Sequence, residues 1–279
     1  MRKQVIMRGK MSINDNLKTL IKMAAPLWAG EAEVVRTYWD SSIRTLETDL
    51  LWLRRQCFKE FNGKGLGEHK DLGIFLGPLT EIIDSFPEID RSVGRHHIAD
   101  LIETIHDEFT HYCLFADVYD AIKEEDTPPL DPHTLEIWDE DKILTEMRIK
   151  QNHTYGEIGV RSSHFTEGGY CTLFREGMRL KGRGGKDELI ARACKVIYED
   201  EFGHMLNGIV GLDSEKISKA DYTLMTELVI EQLQARIKMR NAEFSFPLSE
   251  ARIQEIYDGK IEPEPFDFGK AANIMSGST

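Results

Sequence analysis

Asp107-Glu108-Phe109-Thr110-His111 and Asp200-Glu201-Phe202-Gly203-His204 are two copies of one short pattern, each set in a stretch whose apolar residues recur at helical spacing. On a helix, Glu at i and His at i+3 share one face about a turn apart, so each copy can offer a carboxylate and an imidazole to a common cation. Two such helices facing each other supply half of a dinuclear centre. Hard oxygen donors mixed with imidazole nitrogen, with no thiolate needed, suit iron or manganese.

With 28 Glu and 9 His in 279 residues, about one Glu-x-x-His is expected by chance. Three occur, the third being Glu103-Thr104-Ile105-His106. The pairs at 108/111 and 201/204 are preferred because both follow an Asp. Glu108 also shares a helical face with Leu101, Ile105, Tyr112 and Phe115, so the apolar stripe runs through it.

The length suits one large domain with a substantial core and no need for disulfides. No apolar run approaches the roughly 20 residues of a membrane span. The N-terminus has basic residues but no continuous apolar h-region, which argues against a signal peptide; the expected compartment is the cytoplasm. Cys57, Cys113, Cys171 and Cys194 are scattered without a Cys-x-x-Cys pair and read as small core residues, not as a zinc site or a disulfide scaffold. A formal net charge of −13 repels phosphate backbones and argues against nucleic acid as a partner.

Helical periodicity covers most of the chain, which predicts an all-α protein. An amphipathic segment runs from Ile13 to Leu27, and a long helix A from Glu31 to Phe61, ended by Asn62-Gly63 and Gly65 to Gly67. A short helix spans Ile74 to Phe86 and stops at Pro87; helix B follows from Ser92 to Lys123. Helix C is expected from Asp141 to Leu180, helix D from Asp187 to Gly211 and a fifth helix from Ser218 to Ala242. Three regions follow: residues 1–30 as an N-terminal helical extension, 31–246 as a helical bundle with the dimetal site, and 247–279 as a tail that is extended or disordered after one short helix.

Two carboxylate–imidazole pairs still want one carboxylate from each of two other helices. Glu167 lies 13 residues before the end of helix C and Glu201 lies 14 after the start of helix D, so both sit about 20 Å from the intervening turn. The same measurement across the A to B connection selects Glu47, 15 residues before Asn62, against Glu108, 16 after Ser92. Glu47 reads equally well as a solvated surface residue. His164 reads as a core histidine or as an additional ligand, Gly168-Gly169 as room for a small molecule or as close helix packing, and Phe109, Tyr112, Phe115, Tyr170 and Phe174 as pocket wall or as core.

One carboxylate, then Asp-Glu-x-x-His, then one carboxylate, then Asp-Glu-x-x-His on successive long helices resembles the ferritin-like diiron-carboxylate oxygenases and oxidases, over about Glu31 to Gly211. The resemblance implies a ferritin-like four-helix bundle core with additional helices. It also implies two iron ions, with Mn/Fe or Mn/Mn as alternatives. Glu108 and Glu201 would bridge, His111 and His204 would each give one nitrogen ligand, and Glu47 and Glu167 would be terminal ligands. Asp107 and Asp200 would orient the histidines of the opposite pair, or would be plain exposed helix charges. The arylamine N-oxygenase branch is similar in motif order but has a further histidine where this chain carries Ile197.

The expected activity is an O2-dependent oxidation of a small organic substrate by hydroxylation, N-oxygenation, desaturation or oxidative cleavage. It would take O2 as co-substrate, draw electrons from a donor protein or small reductant, and leave room for a homodimer. The alternative is a ferroxidase or iron-handling protein without an organic substrate.

Overall fold

In the computed structural model, residues 13–62, 73–214 and 216–276 are described, and none of them forms a strand; one isolated bridge pairs Ile89 with Val93. The protein is all-α. The first helix, α1 (Asp15–Asp40), starts where the Asn14 side chain accepts the Leu17 N–H. It continues through Pro26 and across the expected boundary between residues 30 and 31. Leu17, Leu20, Ala24, Trp28, Val34 and Tyr38 are all fully buried along it, so this segment is core and not an extension.

Helix A is therefore not one rod from Glu31 to Phe61. α1 ends at Asp40, and α2 (Leu46–Asn62) begins afresh. Between them the Thr45 N–H donates to Thr48 Oγ1 (2.8 Å) and the Thr48 N–H donates to Thr45 Oγ1 (3.2 Å), a reciprocal cap that competes with helix continuation. The glycine-bearing stop expected at 63–67 lies outside the described residues.

α3 (Leu76–Ser85) and α4 (Arg95–Ile122) match the expected short helix and helix B within a few residues, as do α8 (Gly185–Val210) and α9 (Lys219–Glu243) for helix D and the fifth helix. Helix C is split into α5 (Asp139–Tyr155), α6 (Glu157–Thr166) and α7 (Thr172–Met178). Gly156, at φ 55° and ψ −127°, breaks the first junction. At the second, Gly168, Gly169, Tyr170 and Cys171 all take left-handed φ values of 73°, 51°, 57° and 52°. A single left-handed turn of four residues is costly unless its surroundings fix it.

The surroundings do so. Gly169 lies against the Glu31 carboxylate and the Arg236 guanidinium, leaving no space for a Cβ. Tyr170 stacks on Trp28 with ring centroids 4.8 Å apart, and its hydroxyl accepts the Asp267 N–H at 2.8 Å. Glu31 is itself held by Arg236 (2.9 Å) and Arg240 (2.8 Å) from α9, while Glu243 takes Arg240, Lys59 and Gln56. The network ties α1, α2 and α9 together in the interior; burial would raise the Glu31 carboxyl, and the two guanidinium charges hold it below its ordinary value.

After Pro247 one short helix forms as expected, whereas residues 268–276, expected to be extended or disordered, form a second. α10 (Glu250–Tyr257) buries Ile253 and Ile256 against α1, and α11 (Phe268–Ser276) packs on α8. The stretch between them runs over α1, where the Glu264 N–H donates to Ala25 O at 3.0 Å and Glu264 pairs with Arg175.

α4 packs against α2 and α8, and the left-handed turn and α7 also pack on α8, with Phe174 of α7 stacked on Phe115 of α4. No helix among the described residues is long and apolar enough to cross a membrane.

Candidate metal centre

Both copies of the duplicated pattern lie in the middle of long helices, on α4 and α8, which pack against each other. On α4, Phe115 and Val118 are buried and fix the helix face; His111, one turn before Phe115, is buried with them. On α8 the buried Ile190, Cys194 and Ile197 continue at helical spacing into Glu201. On α2 the buried Leu53 and Cys57 continue in the same way into Glu60. Packing of three apolar stripes thus brings three glutamates and a histidine to one place.

Ligand atoms of Glu60, Glu108 and His111 lie within 4.8 Å of one another. His111 Nδ1 is 3.7 Å from Glu60 Oε2 and 3.6 Å from Glu201 Oε1. These separations are too long for hydrogen bonds and suit atoms that share a cation. Nδ1 is buried and has no hydrogen-bond partner. The other ring nitrogen, Nε2, faces Asp200 Oδ2 at 3.4 Å, so that when the imidazole gives up its second proton the tautomer with its proton on Nε2 and its lone pair on Nδ1 is favoured.

The electrostatics have one sign. Burial pushes the Glu108 carboxyl up to about 8, and the carboxylates of Glu60 and Glu201 add repulsion. Glu201 is raised by the same cause, burial first, with His111 opposing. Burial would lower the His111 imidazole, but Glu60, Glu201 and Glu108 override it and lift it to about 9. Among the described residues no Lys or Arg lies within ion-pair distance of Glu60, Glu108, Glu167 or Glu201. A partly dehydrated group of acids with one imidazole and no cation at ion-pair distance could hold a metal ion, and oxygen and nitrogen donors of this kind suit iron or manganese.

Of the six ligands expected from the sequence, Glu108 and His111 sit in the cluster and Glu201 is at its edge. Glu47 is elsewhere. It is exposed on the first turn of α2, 13 residues before Glu60, or about 20 Å along the helix. Glu60, not Glu47, is the α2 carboxylate beside Glu108, because the A to B connection contains α3 and is not a simple turn, so equal counts back from Asn62 and on from Ser92 do not mean equal height.

Glu167 is exposed and lies at the end of α6 where the left-handed turn begins, not on a continuous helix; its charge still reaches both Glu108 and Glu201. His204 is exposed, and its charge reaches Glu201. His164, Glu103 and His106 are exposed and stand apart from the cluster. Asp200 faces the histidine of the opposite copy, whereas Asp107 makes no such contact.

The aromatic residues divide. Phe115 and Tyr170 are core, Phe109 is 48% exposed, and Tyr112 and Phe174 are half-buried. Cys57, Cys171 and Cys194 are buried free thiols, and Cys113 is half-buried. Glu60 was legible in principle: Leu53, Cys57 and Glu60 fall at i, i+4 and i+7, the same stripe logic that marks Glu108. Comparison with family models, with curated proteins and with solved structures finds no match to the chain.

Proposed function

We propose that the chain is a ferritin-like dimetal-carboxylate protein that uses O2 to oxidise a small organic molecule. The observation that carries this reading is the buried, unpartnered Nδ1 of His111 among Glu60, Glu108 and Glu201. Glu60, Glu108 and His111 would hold one iron, and Glu201, Glu167 and His204 would hold a second. Two iron ions so held would supply the electrons for reaction with oxygen. Asp200 keeps the His111 ring in the ligating tautomer, and the buried faces of α2, α4 and α8 keep water from the inner half of the cluster.

A ferroxidase or iron-handling role is the second reading, and one observation favours it: Glu167 and His204 are exposed, which suits iron passing through the outer position.

Anaerobic loading with Fe(II), followed by metal analysis and then by oxygen uptake, tests both. Two irons per chain and oxygen uptake are expected, with loss of at least one iron in Glu60→Ala and in His111→Ala and wild-type loading in Glu47→Ala. Failure to bind either iron or manganese overturns the metal centre. Oxygen uptake that scales with added iron and is indifferent to every small organic compound tried selects the second reading.

A further inference from the structure

Arg148 on α5 is half-buried and makes no ion pair with any described residue. Most other cations that reach into the interior are answered by carboxylates: Arg236 and Arg240 by Glu31, Lys59 by Glu243, and Arg44 by Asp49 and Asp187; Arg55, which has none within ion-pair distance, donates to Ala242 O and lies over the Trp138 ring. Arg148 instead rests on neutral groups. Its Nη2 donates to Thr166 Oγ1 at 2.8 Å and its Nε to Gln232 Oε1 at 3.4 Å. Thr166 also donates to Gln232 Oε1 (2.5 Å), and Gln232 Nε2 donates to Gln151 Oε1 (2.6 Å). These bonds lock one edge of the guanidinium and leave Nη1 without a partner.

The position is informative because Thr166 immediately precedes Glu167. Arg148 thus bonds to the residue next to Glu167, and the Glu167 charge acts on Arg148 as well as on Glu108 and Glu201. The Arg236 charge opposes that of Arg148, and Asp141 and Glu31 are the other acids whose charge acts on it. A guanidinium held on one edge by fixed neutral acceptors presents the other for two parallel N–H···O bonds to a planar anion. A ligand carboxylate there would add the ion-pair partner that no described residue gives Arg148.

We infer that Arg148 is a substrate-binding residue, and that the substrate of the neighbouring centre is a small carboxylic acid whose carboxylate pairs with the free edge of the guanidinium. The inference takes its location from the metal reading of the Glu60–Glu108–His111 cluster, but the anion site itself stands on Arg148, Thr166 and Gln232.

Calorimetric titration of metal-free protein with butyrate and with benzoate, against butanol and benzyl alcohol, tests it. The acids are expected to bind wild type, the alcohols at least tenfold more weakly. Arg148→Gln is expected to lose at least tenfold in affinity for the acids and Arg148→Lys to keep part of it, while both variants bind as much iron as wild type. Equal binding of acid and alcohol by wild type, or equal acid affinity in wild type and Arg148→Gln, overturns the assignment. Should Arg148→Gln fail to fold, the acid-against-alcohol comparison and Arg148→Lys decide. If no variant binds metal yet the acids bind through Arg148, the metal centre is wrong and the anion site stands.

Discussion

His111 Nε2 on α4 faces Asp200 Oδ2 on α8 at 3.4 Å, so the acid that opens one copy of the repeated pattern steers the imidazole of the other. The relationship is not reciprocated, because His204 is exposed and Asp107 has no matching contact. One half of the cluster is thereby built tightly and the other loosely.

Asp200→Ala removes the group that holds the Nε2 proton and sets the ring angle. Metal affinity at the inner position is expected to fall about 10- to 100-fold, as is usual for loss of the partner behind a ligating histidine. Asp107→Ala should bind metal as wild type does. Titration with Mn(II), followed by metal analysis after gel filtration, checks both; equal loss in the two variants contradicts the asymmetry.

The metal-free protein should be less stable at high pH. Glu108 titrates near 4.5 when exposed and at about 8 in the fold, so between those values the folded chain holds a proton that the unfolded chain has released. His111 behaves likewise between 6.5 and about 9. Both contributions are complete at low pH and are lost as pH rises through the folded values, each with a slope of up to about 1.4 kcal/mol per pH unit. The thermal midpoint of the metal-free protein is expected to drop between pH 6 and pH 9. Saturating Mn(II) should flatten that dependence, and loading at pH 7 should release protons, because the metal displaces them. A pH-independent midpoint in metal-free protein is the contrary result.

The duplicated motif was legible because i, i+3 spacing survives any error in where a helix begins. Glu201 and His111 needed only a local pattern to be placed on facing helices. Glu60 was hidden by a long-range count that assumed a simple turn between helices A and B, where the chain in fact forms α3. The break at 41–45 rests on hydroxyl caps from Thr45 and Thr48, residues that are equally at home inside a helix. Glu167 was placed near the cluster by its distance from the C to D turn, although the continuous helix assumed in that count is absent. Gly168-Gly169 was visible as a weakness, but the left-handed turn depends on Glu31 and Arg236, which arrive from α1 and α9 and cannot be read from local sequence.

Gly169→Ala tests that dependence. A Cβ at Gly169 would strike the Glu31 carboxylate and the Arg236 side chain in a left-handed backbone at φ 51°. A loss of roughly 2–4 kcal/mol is expected, combining the left-handed penalty with overpacking. Gly168→Ala is the control: its Cβ would meet only Met205 at an ordinary 3.8 Å, so about 1–2 kcal/mol of backbone cost remains. Urea unfolding of both variants measures the difference, and equal losses would mean that the turn is not seated on the ion network.

The last prediction concerns the C-terminal segment that covers this turn. Phe266 stacks on Tyr170 at 5.6 Å and on Trp28 at 6.4 Å, and Lys270 lies 4.2 Å over the Phe202 ring, the residue after Glu201. Together with the Asp267 N–H bond to the Tyr170 hydroxyl, these contacts clamp the left-handed turn against α8. Phe266→Ala is expected to cost about 1–3 kcal/mol, the lower part of the range for deleting an aromatic ring because Phe266 is only partly buried. Truncation after Gly259 should cost more and should expose Trp28, raising acrylamide quenching of tryptophan fluorescence. The metal cluster draws its inner ligands from α2 and α4, away from the strap, so iron bound at Glu60, Glu108 and His111 should survive truncation while the outer position, dependent on Glu167, weakens. Loss of both irons together, or of neither, would show that the strap does not act through the turn.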